Sequence, residues 1–177
     1  LQAATGQFGA LVVALSALYL LMSHHKETLD RMNEGTRLDE IVHEVKLDPT
    51  ILEKPYLQPI YDEPEFVVRN IWRMYGGWYD GNPAHLKPAP DKELALELAN
   101  LAGGALNLAE RSLTLMNSNP RLACHLVELA VQAEPENKDL HEVRAQVYQH
   151  RRGIESSLMA KGIYGSAANE SRVKLDP

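Results

Sequence analysis

The sequence predicts an all-α fold in which consecutive helices pack as hairpins, interrupted by one loop rich in glycine and aromatic residues. Apolar residues recur at steps of three and four over most of the chain, which is the spacing of one helical face. Clusters of proline and glycine separate these stretches at intervals that suit helices of ordinary length. No stretch of alternating apolar and polar residues predicts a β-strand.

The composition is that of a globular domain. The 177 residues are 45% hydrophobic and 24% charged, which suits one domain with its own core. The net charge of −6 and the lack of a basic stripe argue against a nucleic-acid partner. Cys124 is the one cysteine, so no intramolecular disulfide can form. Since the chain starts at Leu1 and not at Met, we expect a fragment of a longer protein. The sequence does not decide between the bacterial cytoplasm, the periplasm and secretion as its location.

The first 23 residues carry no charged side chain. Their most apolar part, residues 8–22, is short for a membrane span, which needs about 20 apolar residues, and no basic segment precedes it as in a signal peptide. The helical pattern runs on, and it predicts one helix over residues 9–33 that ends at Gly35. We therefore divide the chain into an apolar, helical lead-in (1–19) and one helical domain (20–177). A membrane-anchored helical protein is a less favoured alternative.

The prolines and glycines of the middle region predict the breaks between helices. Residues 46–62 hold three prolines and predict an extended loop. Asp62 and Asp91 are each predicted to cap a helix that starts behind them. The pair Gly103-Gly104 predicts a kink within one long helix from residue 91 to 116.

The later helices predict a short array of hairpins. Helices over 121–133 and 138–152, with small residues at their contacts, resemble helical-hairpin repeats of the tetratricopeptide kind. About one and a half such units are visible, so we expect a bundle or short solenoid and not a long array. Residues 155–171 predict a weaker helix, or two, broken near Gly162 and Gly165.

The loop over residues 75–86 is the part of the chain that helical periodicity does not explain. It reads YGGWYDGNPAHL, with glycines and a proline that prevent a helix, and polar residues typical of turns. Two large aromatic side chains are costly to leave in water, so we expect the loop to pack against another surface. We single out eight residues as a structural, domain-facing loop: Tyr75, Gly77, Trp78, Tyr79, Asp80, Gly81, Asn82 and Pro83.

No group of residues in the sequence predicts a catalytic or metal site. His125 and Glu128 lie three apart on one helix, but they have no second copy of the kind that bundle metal sites use. Cys124, beside them, is read as a small core residue. We therefore predict no catalytic residue, no metal ligand and no cofactor within this chain.

Several segments resemble one family. Residues 75–86 are similar to the Y-x-G-W-[FY]-D-G-N-P-A-x-L segment of the alkyl sulfatases of the metallo-β-lactamase superfamily. Residues 25–35, HKETLDRMNEG, resemble that family's H-D-Q-T-L-x-x-M-N-x-G, and residues 101–105, LAGGA, resemble its GGA helix. The resemblance covers residues 20–165 and corresponds to the middle, helical dimerisation domain of these sulfuric ester hydrolases.

This resemblance implies a homodimerisation and structural module. The family's catalytic domain, with two zinc ions, and its sterol-carrier-like domain would then be partners in cis outside this chain. Apolar helical surface left over suits a two-fold interface. As interface candidates we select Leu18, Leu21, Met22 and Ile71. The alternative is a free-standing, tetratricopeptide-like adaptor that binds other proteins.

Overall fold

The computed structural model describes residues 21–176, and this part of the chain is helical without any β-strand. The predicted all-α class is therefore confirmed. The chain divides between Lys87 and Pro88 into two compact units, each with a core of its own.

The N-terminal unit contains four helices and one 3-10 turn within the described residues. They are α1 (21–33), α2 (Leu38–Glu44), α3 (Pro49–Leu52), α4 (Pro64–Gly76) and the turn Pro83–His85. Its core consists of Ile41, Val42, Val45 and Val68, and α2 packs against α4. Helix α1 ends as predicted, with Gly35 at a φ of 81°. The lead-in (1–19) and the first half of the predicted helix lie outside the described residues.

Two details of the N-terminal unit differ from the prediction. The segment predicted as extended contains α3, because the Asp48 carboxylate accepts hydrogen bonds from the backbone N–H and hydroxyl of Thr50 (2.9 and 2.8 Å) and so caps a turn. Asp62 does not cap α4, since Glu63 precedes the first helical residue, Pro64. The Asp62 carboxylate instead accepts from the Glu63 N–H at 2.8 Å.

The C-terminal unit contains five helices within the described residues. They are α5 (Asp91–Leu101), α6 (Ala105–Leu115), α7 (Pro120–Ala133), α8 (Lys138–Ile154) and α9 (Leu158–Leu175). Helix α7 packs against α5, α6 and α8, and α8 packs along α9. The contacts around α5 and α6 are rich in alanine, which lets these helices approach closely.

The remaining differences from the prediction lie in the C-terminal unit, and most of them involve glycine. The predicted kink is a complete break between α5 and α6, because Gly103 and Gly104 both take positive φ values (83° and 131°). Asp91 is the first residue of α5 and not its cap. Helix α9 runs unbroken through Gly162 and Gly165. A Cβ at residue 165 would lie 3.3 Å from Cδ of Arg152, so this glycine allows α8 to come close instead of ending a helix.

Candidate functional site

The loop that follows α4 contains two glycines with positive φ values. Gly76 is the last residue of α4, and Gly77 follows with a φ of 80°. Gly81 takes a φ of 90° within the turn. Because other residues rarely adopt this region, both glycines are required by the course of the backbone.

Asp80 holds the turn together. Its Oδ1 accepts a hydrogen bond from the Asn82 N–H (2.9 Å), and its Oδ2 lies 2.5 Å from Nδ1 of His85. The bond from the Asn82 N–H, followed by the contact with His85, lowers the pKa of Asp80 from its ordinary value. Asn82 in turn accepts from the Ala84 N–H at 3.1 Å and caps the 3-10 turn. Asp80 and Asn82 thus both accept backbone hydrogen bonds within the turn.

The loop is attached to the helices of its own unit. Trp72 donates its Nε1 hydrogen to the carbonyl of Tyr79 (3.0 Å), and the Leu38 N–H donates to the carbonyl of Asp80 (3.1 Å). Gly81 lies against Arg37, where a Cβ would come within 3.1 Å of Cγ. Sequence reasoning missed both Trp72 and Arg37. The position of Trp72, one helical turn before the glycine pair, was the available signal.

Two of the three aromatic side chains of the loop, Tyr75 and Trp78, are exposed, whereas Tyr79 is half-buried. Trp78 is 75% exposed and packs edge-on against Tyr79, with ring centroids 6.0 Å apart. Tyr75 is 56% exposed, and its hydroxyl lies 3.1 Å from Nε2 of His25 on α1. An indole ring exposed to this degree is suited to contact with another protein surface.

A polar cavity of about 260 Å³ lies beside the loop. Asp80, Asn82 and His85 line one side, and residues 37–40 with Arg69 line the other. Its lining combines three acidic residues with two arginines. Within residues 21–176 no group of three His, Cys, Asp or Glu side chains is arranged to hold a metal ion.

The interface candidates have different surroundings. Leu21 and Met22 are 57% and 63% exposed at the start of the described part of α1, whereas Leu18 lies outside the described residues. Ile71 is buried against its own unit, so little of its side chain is left for another molecule. None of the helices that the structure describes is long and apolar enough to cross a membrane.

Glu128 takes part in a structural network between helices. Its carboxylate accepts from Arg144 Nε (2.9 Å) and from the Tyr148 hydroxyl (2.8 Å). Burial raises the pKa of Tyr148 far above its ordinary value, and the charge of Glu128 raises it further. Cys124 packs beside this network, and burial raises its pKa to about 11. An ion pair, hydrogen bonds and apolar packing thus join α7 and α8 at this point.

Comparisons with known proteins relate this chain to alkyl sulfatases. The family model described as "Alkyl sulfatase dimerisation" matches residues 37–174. A linear primary-alkylsulfatase from a Pseudomonas strain is 29% identical over 154 residues, which are 86% of this chain and 29% of that enzyme. An (R)-specific secondary-alkylsulfatase from Pseudomonas sp. is 31% identical over 84% of this chain and 23% of its own length. The solved structure of the stereoselective inverting sec-alkylsulfatase Pisa1 from Pseudomonas sp. superposes with a TM-score of 0.77, at 30% identity, and the match covers 84% of this chain and 24% of that one.

The family match assigns this helical chain to the class of dimerisation modules. The chain belongs to the alkyl sulfatase dimerisation family. It spans less than a third of the length of the curated relatives described above.

Proposed function

We propose that this chain is the homodimerisation and structural module of a zinc-dependent alkyl sulfatase whose catalytic domain lies outside these 177 residues. The match of the dimerisation family over residues 37–174 carries the proposal. The short share of each relative that the chain spans supports a module that works with other domains.

The parent reaction in this proposal is hydrolysis of a sulfate ester to an alcohol and sulfate. Two zinc ions in the catalytic domain would act there as Lewis acids toward water and the ester. The described residues offer no ligand set for zinc, so no step of the reaction is assigned to them. A sterol-carrier-like domain that recruits apolar substrate would be the other partner in cis.

The loop over residues 75–86 is proposed to face the catalytic domain. Its frame is fixed by the bonds of Trp72 and Leu38, while Trp78 is left exposed. Asp80 and Asn82 hold the turn from within, and Trp78 would supply the contact. An exposed aromatic ring on a fixed backbone is the kind of group that anchors a protein interface.

The C-terminal unit is proposed to be a short array of hairpins of the tetratricopeptide type. The pairwise packing of α6 with α7, α7 with α8 and α8 with α9 supports this finer description. The same packing favours the second candidate function, an adaptor that binds a peptide. An adaptor would bind a peptide of another protein, whereas the proposed module would bind a second copy of itself.

The experiment is to express the parent reading frame and to measure both its mass and its release of sulfate from an alkyl sulfate. We expect a dimer, zinc-dependent hydrolysis, and a His-x-His-x-Asp-His motif upstream of Leu1. Trp78→Ala should reduce turnover or the stability of the whole protein. Met74→Ala is the control, since Met74 is also 75% exposed but lies on α4 and not on the loop. A monomeric parent without sulfatase activity would overturn the proposal.

A further inference from the structure

Helix α5 buries its alanines and leaves three of its four leucines exposed. Ala95 and Ala99 are buried in the core of the C-terminal unit, where α5 packs against α7. Leu94 and Leu101 are 53% and 76% exposed. In a helix that serves only its own domain the large apolar residues would face the core, because burial of a leucine contributes more than burial of an alanine.

The leucines of α5 are spaced for contact with another helix. Leu94, Leu98 and Leu101 are separated by four and then three residues, so they share one side of the helix. Alternating steps of four and three are the spacing of a helix–helix seam. Leu98, in the middle, is half-buried. We call these three residues the leucine face.

The description of the matched family favours a second copy of this chain as the occupant. The match named for dimerisation covers residues 37–174 and includes all of α5, whereas Leu21 and Met22 on α1 precede it. In a two-fold interface the same surface of each copy meets itself, so this surface must be self-complementary. An apolar face of leucines meets this condition, because it can pack against an identical face. The exposed aromatic residues around Trp78 already have a proposed partner in the catalytic domain.

We propose that the leucine face of α5 packs against the leucine face of a second copy across the dimer axis. The inference rests on the proposed dimerisation function and assigns it a surface. It replaces the earlier interface candidates on α1 and α4 with a helix of the C-terminal unit.

Charge substitutions in the full chain test this assignment. Leu94→Glu and Leu101→Glu should each raise the dissociation constant of the dimer at least about tenfold, because an isologous contact is disrupted on both copies. Leu158→Glu is the matched control, since Leu158 is 56% exposed on α9 and should leave dimerisation unchanged. Sedimentation across a wide range of protein concentration gives the constants, and circular dichroism checks that each variant keeps its helices.

Cross-linking gives a second measurement that does not depend on a destabilised variant. In a Cys124→Ala background, Leu98→Cys and Leu101→Cys should form disulfide-linked dimers on mild oxidation, and Leu158→Cys should not. If the chain is a dimer, but the glutamate variants dimerise normally and neither cysteine cross-links, the leucine face is not the interface. If the unaltered chain is monomeric at every concentration, the dimerisation function fails together with this inference.

Discussion

Arg144 on α8 and Glu128 on α7 form an ion pair whose Nε–Oε2 distance is 2.9 Å, and Tyr148 donates its hydroxyl to the same carboxylate oxygen. Arg144 also donates to the carbonyl of Ala167 and to the hydroxyl of Ser171 on α9 (2.7 and 3.0 Å). Because only a tenth of the Arg144 side chain is exposed, its charge depends on these acceptors. One side chain thus joins three helices of the C-terminal unit.

Loss of the Glu128 carboxylate should destabilise the C-terminal unit. We expect Glu128→Ala to lower the free energy of unfolding by about 2 kcal/mol, because it removes one acceptor of a buried guanidinium and the acceptor of the half-buried Tyr148 hydroxyl. Glu170→Ala is the control, since Glu170 is two-thirds exposed and lies 3.5 Å from Arg144. Urea denaturation followed by circular dichroism measures both. Equal losses in the two variants would contradict the role given to Glu128.

Cys124 should react slowly with alkylating reagents. Burial raises its pKa from 9.0 to about 11, so little thiolate forms at pH 8. We expect iodoacetamide to label the folded chain at least about tenfold more slowly than the chain unfolded in guanidinium chloride. The raised pKa also means that this residue's contribution to stability is complete below pH 9 and is lost as the pH rises toward about 11. Rapid labelling of the folded protein at pH 8 would contradict the expected slow reaction of Cys124.

A side chain at residue 81 should strain the aromatic loop. We expect Gly81→Ala to destabilise the N-terminal unit by about 1–2 kcal/mol, since the residue must keep a positive φ. Part of this cost should come from the contact with Cγ of Arg37. The loss of stability caused by Gly81→Ala should therefore be smaller in an Arg37→Ala background. A double-mutant cycle, with unfolding by urea, measures the difference. An alanine variant as stable as the original chain would show that the left-handed turn is not required.

The two glycines within α9 should respond differently to alanine. No atom lies within 4 Å of a Cβ built at Gly162, so Gly162→Ala should stabilise the helix by about 0.5–1 kcal/mol. Gly165→Ala should gain less or lose stability, because Arg152 must move. Thermal unfolding of the two variants under identical conditions compares them. A larger gain in stability from Gly165→Ala than from Gly162→Ala would show that Arg152 on α8 does not restrict the space beside residue 165.

Local signals in the sequence predicted much of this structure. Gly35 marks a helix end, and the glycines of the loop over residues 75–86 interrupt the helical pattern, because each acts through its own backbone. Gly162 and Gly165 were misread as breaks for the opposite reason. Whether a glycine ends a helix or admits a neighbouring one depends on tertiary packing, which the residues beside it in the sequence do not reveal.

The candidate surfaces were less predictable for the same reason. Helical spacing placed Ile71 on an apolar face, but it could not say that its own unit covers that face. It likewise did not separate the buried alanines of α5 from its exposed leucines, since all of them are apolar. Trp72 and Arg37, which support the loop, lie outside the motif that drew attention to it.

The frame of the aromatic loop has a consequence for how fast and how tightly it can be bound. The carbonyl of Tyr79 is held by Trp72 and the carbonyl of Asp80 by Leu38, so the backbone on the C-terminal side of Trp78 is already ordered before any partner arrives. A partner that covers the indole ring therefore pays little of the entropy that a flexible loop would lose on binding. Contact with this loop should resemble the docking of two rigid surfaces more than the folding of a segment around its target.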